Sequence, residues 1–152
     1  MKTRIGFFLT RGVALAAAFA LTSPTPVSRA AAPQGRYVLT SNTVLDQETG
    51  LVWQRVADNT TRSLAEAESY CPGVTLPGNG WRLPSIKELQ TIADETLGTP
   101  SIDPVFNSPD HFQFWSSSRY PDFPEEAWYV WFGYGQSAHE GDTVFHSVRC
   151  VR

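Results

Sequence analysis

The sequence predicts one α+β domain behind an export signal. Two short strand patterns come first, two helix patterns follow, and further strands fill the C-terminal half, which is an order typical of α+β proteins. Aromatic residues are concentrated in that second half: of the sixteen that follow residue 30, eleven lie between Phe106 and Tyr134. Because aromatic side chains dominate protein cores, we expect this segment to supply much of the core sheet.

The first strands are predicted at Tyr37–Leu39 and Leu51–Trp53. Both are short runs of aliphatic and aromatic residues. The stretch 46–50, Asp-Gln-Glu-Thr-Gly, has the composition of a turn. We therefore expect the two strands to form a hairpin.

Two Ser-x-x-Glu sequences, at 63–66 and 85–88, mark the starts of two helices. In such a capping box the serine and the glutamate each satisfy a backbone N–H that the first helical turn leaves unpaired. Apolar residues at helical spacing then predict helices over 64–71 and 86–93. Pro72 and the glycine after it end the first helix.

The C-terminal half is predicted to contain three strands. Residues 114–118 and 127–132 form adjacent strands joined by the loop 120–126. Both faces of 127–132 are apolar, so we expect this strand to be central and covered on both sides. The last strand is predicted over 143–151, where alternation places four side chains on one inward face: Val144, His146, Val148 and Cys150.

Residues 1–30 have the pattern of a secretory signal peptide. The start is basic, residues 13–21 are apolar, and the small residues Ser28 and Ala30 suit cleavage after Ala30. The apolar run is too short for the roughly 20 residues that span a bilayer, so no integral membrane segment is expected after cleavage. This predicts a secreted or periplasmic protein with a short N-terminal segment at 31–36 and a domain over 37–152.

The charge balance of the processed chain disfavours binding to polyanions. Removal of residues 1–30 leaves eight basic and fifteen acidic residues. A net negative field of this size disfavours DNA and RNA, so no nucleic-acid partner is expected.

The two cysteines, Cys71 and Cys150, are predicted to form one disulfide. An isolated pair in an exported protein is typical of a single bridge, because the compartment is oxidising. Two free thiols or half of a metal site are the alternatives.

Six motifs occur in order within residues 37–152: Thr49–Gln54, Ala65–Cys71, Gly80–Leu89, Ile102–Pro104, Phe114–Ser118 and Val148–Arg152. Together they resemble the Lcl C-terminal domain family, whose members are bacterial exported or surface proteins, mostly without an assigned function. The resemblance implies a C-type-lectin-like fold in which two helices flank a small twisted antiparallel sheet, and a first-helix to last-strand disulfide fits that fold. The adhesin domain for which the family is named is associated with sulfated polysaccharides, whereas basic residues are scattered in this sequence.

The loop-rich end of the domain is the predicted binding region. Aromatic rings bind sugar faces and carboxylates accept sugar hydroxyls, and both residue types flank the loop 120–126. The exposed aromatic residues are expected to be Tyr120, Phe123, Tyr129 and Tyr134. The predicted ligand contacts are Arg119, Tyr120, Asp122, Glu125, Glu126 and Tyr134.

No cofactor is predicted. The calcium motifs of C-type lectins, Glu-Pro-Asn or Gln-Pro-Asp followed by Trp-Asn-Asp, do not occur, so the acidic loop is expected to be solvated, with a weak calcium site as the alternative. His146 is expected to be a core residue because its spacing with the other histidines matches no zinc template. Residues 116–118 are three serines without the Gly-x-Ser-x-Gly elbow of a nucleophile.

The sequence therefore predicts a non-enzymatic recognition module that binds a glycan or a surface protein through the loop-rich end. The alternative is a structural or assembly component of the cell envelope without a soluble ligand.

Overall fold

The computed structural model describes residues 32–108 and 113–152 of the chain. The predicted signal peptide, residues 1–30, lies outside the described residues. Six strands and two α-helices are present in the described part: β1 Tyr37–Leu39, β2 Thr43–Asp46, β3 Val52–Gln54, α1 Leu64–Tyr70, α2 Ile86–Gln90, β4 Gln113–Arg119, β5 Glu126–Trp131 and β6 Gln136–Gly141.

The first sheet contains β1, β2 and β3, all antiparallel. The prediction that Tyr37–Leu39 pairs directly with Leu51–Trp53 is wrong, because β2 lies between them and pairs with both. The predicted turn at 46–50 exists but joins β2 to β3; the Gly50 N–H donates to the Asp46 carbonyl at 2.8 Å. The φ of Gly50 is 73°, a left-handed conformation that favours glycine.

Both helices begin at the predicted capping boxes. The Ser63 N–H donates to the Glu66 carboxylate at 2.9 Å, and the Ser85 N–H donates to the Glu88 carboxylate at 2.8 Å. The second helix is shorter than predicted, since α2 ends at Gln90. Apolar spacing extends to Ile92, but that residue is buried in the turn that follows the helix.

The second sheet has the order β4-β5-β6 and is also antiparallel. The prediction that β5 is central is confirmed, although Trp131 at its end is 37 % exposed, so the strand is not covered along its whole length. Strand β6 was not predicted: its sequence Gln-Ser-Ala-His-Glu-Gly is polar, and none of its residues is buried.

The predicted last strand over 143–151 is not formed as a regular strand. Its residues instead make single bridges to four separate segments: His146 with Arg62, Ser147 with Phe114, and Val151 with both Trp53 and Arg82. His146, Val148 and Cys150 are buried as expected, but Ser147, Arg149 and Val151 between them are buried too. Because different elements cover the two sides of the segment, no neighbour offers it a continuous ladder.

The described residues form two hydrophobic core clusters. One contains Leu89 of α2 and Val130 of β5, and the other contains Leu64 of α1 and Ala127 of β5. Ala127 and Val130 are three positions apart along the strand, so their side chains point to opposite faces of the sheet. The second sheet therefore contributes side chains to both clusters.

The predicted disulfide is confirmed. Cys71 and Cys150 are bonded, with their Cα atoms 5.5 Å apart, and both are fully buried in the cluster that contains α1. The bridge joins the end of α1 to the C-terminal segment across 79 residues.

The α+β class is confirmed, with two small three-stranded antiparallel sheets in the described residues instead of one. The C-type-lectin-like arrangement, with two helices flanking the sheet, stays a prediction.

Candidate functional site

Four rings gather where the loop 120–126 leaves the second sheet. Tyr120 stacks on His139 with ring centroids 3.7 Å apart and on Phe123 with centroids 6.0 Å apart, both nearly parallel. Trp128 meets Tyr120 and His139 edge to face at 5.2 and 5.4 Å. We call Tyr120, Phe123, Trp128 and His139 the aromatic cluster; Phe123 is its most exposed member, with half of its surface accessible.

Strand register and loop hydrogen bonds hold the cluster together. Trp128 of β5 pairs directly with His139 of β6, so their side chains are cross-strand neighbours on one face. Tyr120 follows β4, and its N–H donates to the Glu126 carbonyl at 2.9 Å. The Glu126 N–H donates in turn to the Phe123 carbonyl at 2.9 Å, which forms a turn inside the loop. The rings are therefore positioned by backbone structure as well as by their own contacts.

Two ion-pairing contacts fasten the loop to its surroundings. The Glu126 carboxylate contacts Nδ1 of His139, and the Arg119 guanidinium donates to the Asp142 carboxylate at 2.7 Å. The Asp142 backbone adds a bond to the loop, since its N–H donates to the Glu125 carbonyl at 2.9 Å. Exposed ion pairs of this kind stabilise by less than about 1 kcal/mol each, so their main effect is to fix geometry.

Asp122 and Glu125 differ from these paired groups. Both residues are exposed, and in the described part of the chain neither side chain has an ion pair or a hydrogen bond. They flank Phe123 in the loop sequence. The loop therefore presents two unpaired carboxylates beside its most exposed ring.

The structure brings together five of the six predicted ligand contacts: Arg119, Tyr120, Asp122, Glu125 and Glu126 lie in the loop or at its ends. Tyr134 lies elsewhere, in the turn between β5 and β6, where it is 57 % exposed and packs edge to face on Trp131 at 4.7 Å. Since β5 has six residues, about 17 Å separates the two ends of the strand. Tyr134 and the loop thus belong to different surfaces.

The other expected exposed aromatic, Tyr129, is half-buried and packs against the core cluster that contains α1. Its ring packs on Trp115 at 6.1 Å and on His146 at 4.5 Å, and burial raises the pKa of its hydroxyl. Sequence reasoning had placed Tyr129 beside the loop and had overlooked Trp128 and His139. The pairing of β5 with β6 is the signal that joins Trp128 to His139. This pairing could not be predicted, because β6 lacks the apolar residues by which strands are recognised in a sequence.

His146 is a core residue, as predicted, with 3 % exposure. Its Nε2 lies 3.0 Å from a carboxylate oxygen of Glu140, and its Nδ1 is buried without a hydrogen-bond partner in the described residues. Burial lowers the pKa of the imidazole, and the nearby Glu140 carboxylate opposes that effect.

The three serines of β4 use their hydroxyl groups for structural hydrogen bonds. Ser116 donates to the Trp128 carbonyl at 2.7 Å, and Ser117 donates to the Pro84 carbonyl at 3.2 Å. The Ser118 hydroxyl accepts the N–H of Ile86, at the start of α2, at 3.1 Å. These bonds fasten β4 to β5 and to the α2 region.

Arg149 is a fully buried cation that sequence reasoning missed. Its guanidinium donates to the carbonyls of Gln54 and Arg55 at 2.7 and 2.8 Å and to the Ser108 hydroxyl at 2.9 Å. Its Nε has no partner among the described residues. Burial lowers the pKa of Arg149 to about 9, so the group is charged at neutral pH.

Two clefts formed by the described residues lie away from the aromatic cluster. One of about 610 Å³ is lined by the stretch from Leu97 to Ser108, and one of about 460 Å³ is lined by residues between Pro72 and Trp81. Neither includes a residue of the loop 120–126. These two clefts are therefore separate from the aromatic cluster.

In residues 32–108 and 113–152, no group of three or more His, Cys, Asp or Glu residues is arranged to hold a metal ion, and the carboxylates of the loop form no such group. No helix in these ranges has the length and apolarity needed to cross a membrane.

Comparison with known proteins identifies one matching family and no matching curated protein. The Lcl C-terminal domain matches residues 42–152, a span that includes β2 to β6, both helices and the disulfide. The chain therefore belongs to the Lcl C-terminal domain family.

Proposed function

We propose that the protein is a non-enzymatic recognition domain that binds a carbohydrate through the aromatic cluster. Family membership indicates a bacterial exported domain, which supports a secreted or periplasmic location where glycans are abundant. The observation that carries the proposal is the half-exposed Phe123, held in a ring stack at the edge of an ordered loop.

The chemistry of the cluster suits a sugar. The C–H faces of a pyranose pack on aromatic rings, while its hydroxyl groups donate to nearby carboxylates. Phe123 offers an open ring, and Asp122 and Glu125 beside it have unused acceptor oxygens. Because Tyr120 and the loop hydrogen bonds already hold Phe123, binding requires little further ordering, and this reduces the entropic cost of association.

Glycan-array binding followed by titration of the best ligand tests the proposal. Phe123→Ala should weaken binding about tenfold or more, the loss expected when a central aromatic contact is removed. Phe145→Ala is the matched control, because Phe145 is at least as exposed as Phe123 but lies in the C-terminal segment. We expect this control to bind as the wild type does.

Tyr134→Ala tests whether the ligand binds at the opposite end of the sheet, in the β5–β6 turn. If the aromatic cluster is the site, this variant binds normally. Normal binding by Phe123→Ala together with lost binding by Tyr134→Ala would move the site to the β5–β6 turn and refute the assignment.

The second candidate is a structural component of the cell envelope, and an exposed sheet edge favours it. Strand β1 is an edge strand whose Val38 and Leu39 are each 46 % exposed, and such edges pair readily with other chains. Recovery of one stoichiometric partner from native envelopes, combined with an empty glycan array, would support this candidate over carbohydrate recognition.

A further inference from the structure

The stack within the aromatic cluster leaves one ring face free. Tyr120 lies nearly parallel to two rings, that of His139 with centroids 3.7 Å apart and that of Phe123 with centroids 6.0 Å apart. Phe123 has a ring neighbour on one side only among the described residues, and it is half exposed. The outer face of Phe123 is therefore the ring face open to a ligand. The face of an aromatic ring carries partial negative charge and attracts cations.

The unpaired charges near this face are all negative. Glu126 is engaged with His139, and Arg119 is engaged with Asp142. The remaining carboxylates, Asp122 and Glu125, are exposed and have no ionic partner in the parts of the chain that the structure describes. The unneutralised charge beside Phe123 is thus two carboxylates.

From this charge complementarity we infer that the carbohydrate carries a free amino group, as in a de-N-acetylated amino sugar, and that its ammonium lies between the Phe123 face and the Asp122 and Glu125 carboxylates. This inference rests on the proposed function and names the ligand class for the same surface. An ammonium is the group that both features attract, since the ring quadrupole and the carboxylates act on it in the same direction. A sulfated or carboxylated sugar would be repelled by the same pair.

Two matched probes test the inference: an oligosaccharide of β-1,4-linked glucosamine and the same oligosaccharide fully N-acetylated. They share length and linkage and differ in charge. Isothermal titration at low and physiological salt should show about tenfold or greater preference for the amine form. The preference should shrink as salt increases, because the carboxylates are exposed and screened.

The variant Asp122→Asn/Glu125→Gln removes both charges with little change in shape. We expect it to lower affinity for the amine form about tenfold and to leave affinity for the acetylated form unchanged. The control Glu68→Gln/Glu95→Gln changes net charge by the same amount at exposed positions outside the loop, and it should retain the preference. The control therefore separates a local effect from attraction to the whole acidic protein.

Equal affinity for the two probes would overturn the inference and leave the proposed function standing. A preference lost equally in the Glu68/Glu95 control would also overturn it, because the attraction would then be non-local. If neither probe binds while the glycan array contains a neutral or sulfated ligand, the amine assignment is wrong but carbohydrate recognition is retained. An array without any ligand would refute the proposed function itself.

Discussion

Replacing Arg149 with methionine should destabilise the protein by about 2–6 kcal/mol, although the change removes a buried charge. Methionine fills a similar volume between Phe106 and Phe114, whose rings each lie 5.3 Å from the guanidinium carbon. What it cannot replace are the donors to the Gln54 and Arg55 carbonyls. The variant therefore isolates the hydrogen bonds from the packing.

The magnitude follows from two opposing effects. Burial lowers the pKa of Arg149 to about 9, so burying the charged form costs several kcal/mol. Three hydrogen bonds from a charged donor return about 1.5–3 kcal/mol each and so offset this cost. Methionine removes both effects but leaves two carbonyls without donors, at about 1–3 kcal/mol each. The net loss is therefore set by the orphaned carbonyls.

Arg149→Lys distinguishes geometry from charge. A lysine retains the cation but lacks the planar fork through which one Arg149 nitrogen reaches two carbonyls and another reaches the Ser108 hydroxyl. We expect lysine to be at least as destabilising as methionine, because the burial cost of the charge remains while bonds are lost.

Urea unfolding monitored by tryptophan fluorescence, with linear extrapolation, measures these differences. Lys87→Met is the control, since Lys87 is exposed on α2 and its replacement should change stability by less than about 0.5 kcal/mol. Unchanged or increased stability in Arg149→Met would refute the argument from orphaned carbonyls. Wild-type stability in Arg149→Lys would show that a point charge is sufficient.

Three further predictions concern the bridge and two titrating groups. Reduction of Cys71–Cys150 should lower the free energy of unfolding by about 2–4 kcal/mol, below the roughly 4.5 kcal/mol expected from chain entropy for this loop; unchanged unfolding in reductant, measured beside the oxidised protein, would contradict this. Because the pKa of His146 is lowered, its contribution to the free energy of unfolding is complete above about pH 6.5 and is lost as pH falls below that value. Glu140→Gln should make this loss of stability steeper in unfolding curves at pH 5, and an equal slope in both proteins would count against the argument. The pKa of Glu88 is lowered to about 2, chiefly by its hydrogen bond from Arg82, so Glu88→Gln should lower the free energy of unfolding by about 1–2 kcal/mol at pH 7, and this difference should disappear as pH falls through about 2; a difference that persists in stronger acid would exclude the ionic explanation.

Local patterns predicted the elements whose causes are local. The capping boxes at 63–66 and 85–88 place both helix starts correctly, because a cap depends on residues only three apart. Strands β4 and β5 and the loop between them were predicted from their apolar runs and the intervening prolines. The disulfide followed from the number of cysteines and the export signal.

Features whose causes lie far apart in the sequence were missed. The segment 143–151 alternates like a strand, but its partners come from four places along the chain, and only the folded structure shows this. The charge of Arg149 is satisfied by carbonyls more than ninety residues away, and no side-chain pattern encodes a carbonyl. The aromatic cluster was half predicted for the same reason: Tyr120 and Phe123 lie in one loop, whereas His139 joins them only through the pairing of β6.

The path of residues 143–151 also has a consequence for the order in which the domain folds. The segment 143–151 bridges to residues of β3 and β4, to Arg62 before α1 and to Arg82 before α2, and it carries Cys150 of the disulfide. Each of these contacts joins residues that are far apart in the sequence, so forming it closes a long loop at a high entropic cost. We therefore expect each sheet to form from its neighbouring strands first and the segment 143–151 to join the two sheets late in folding.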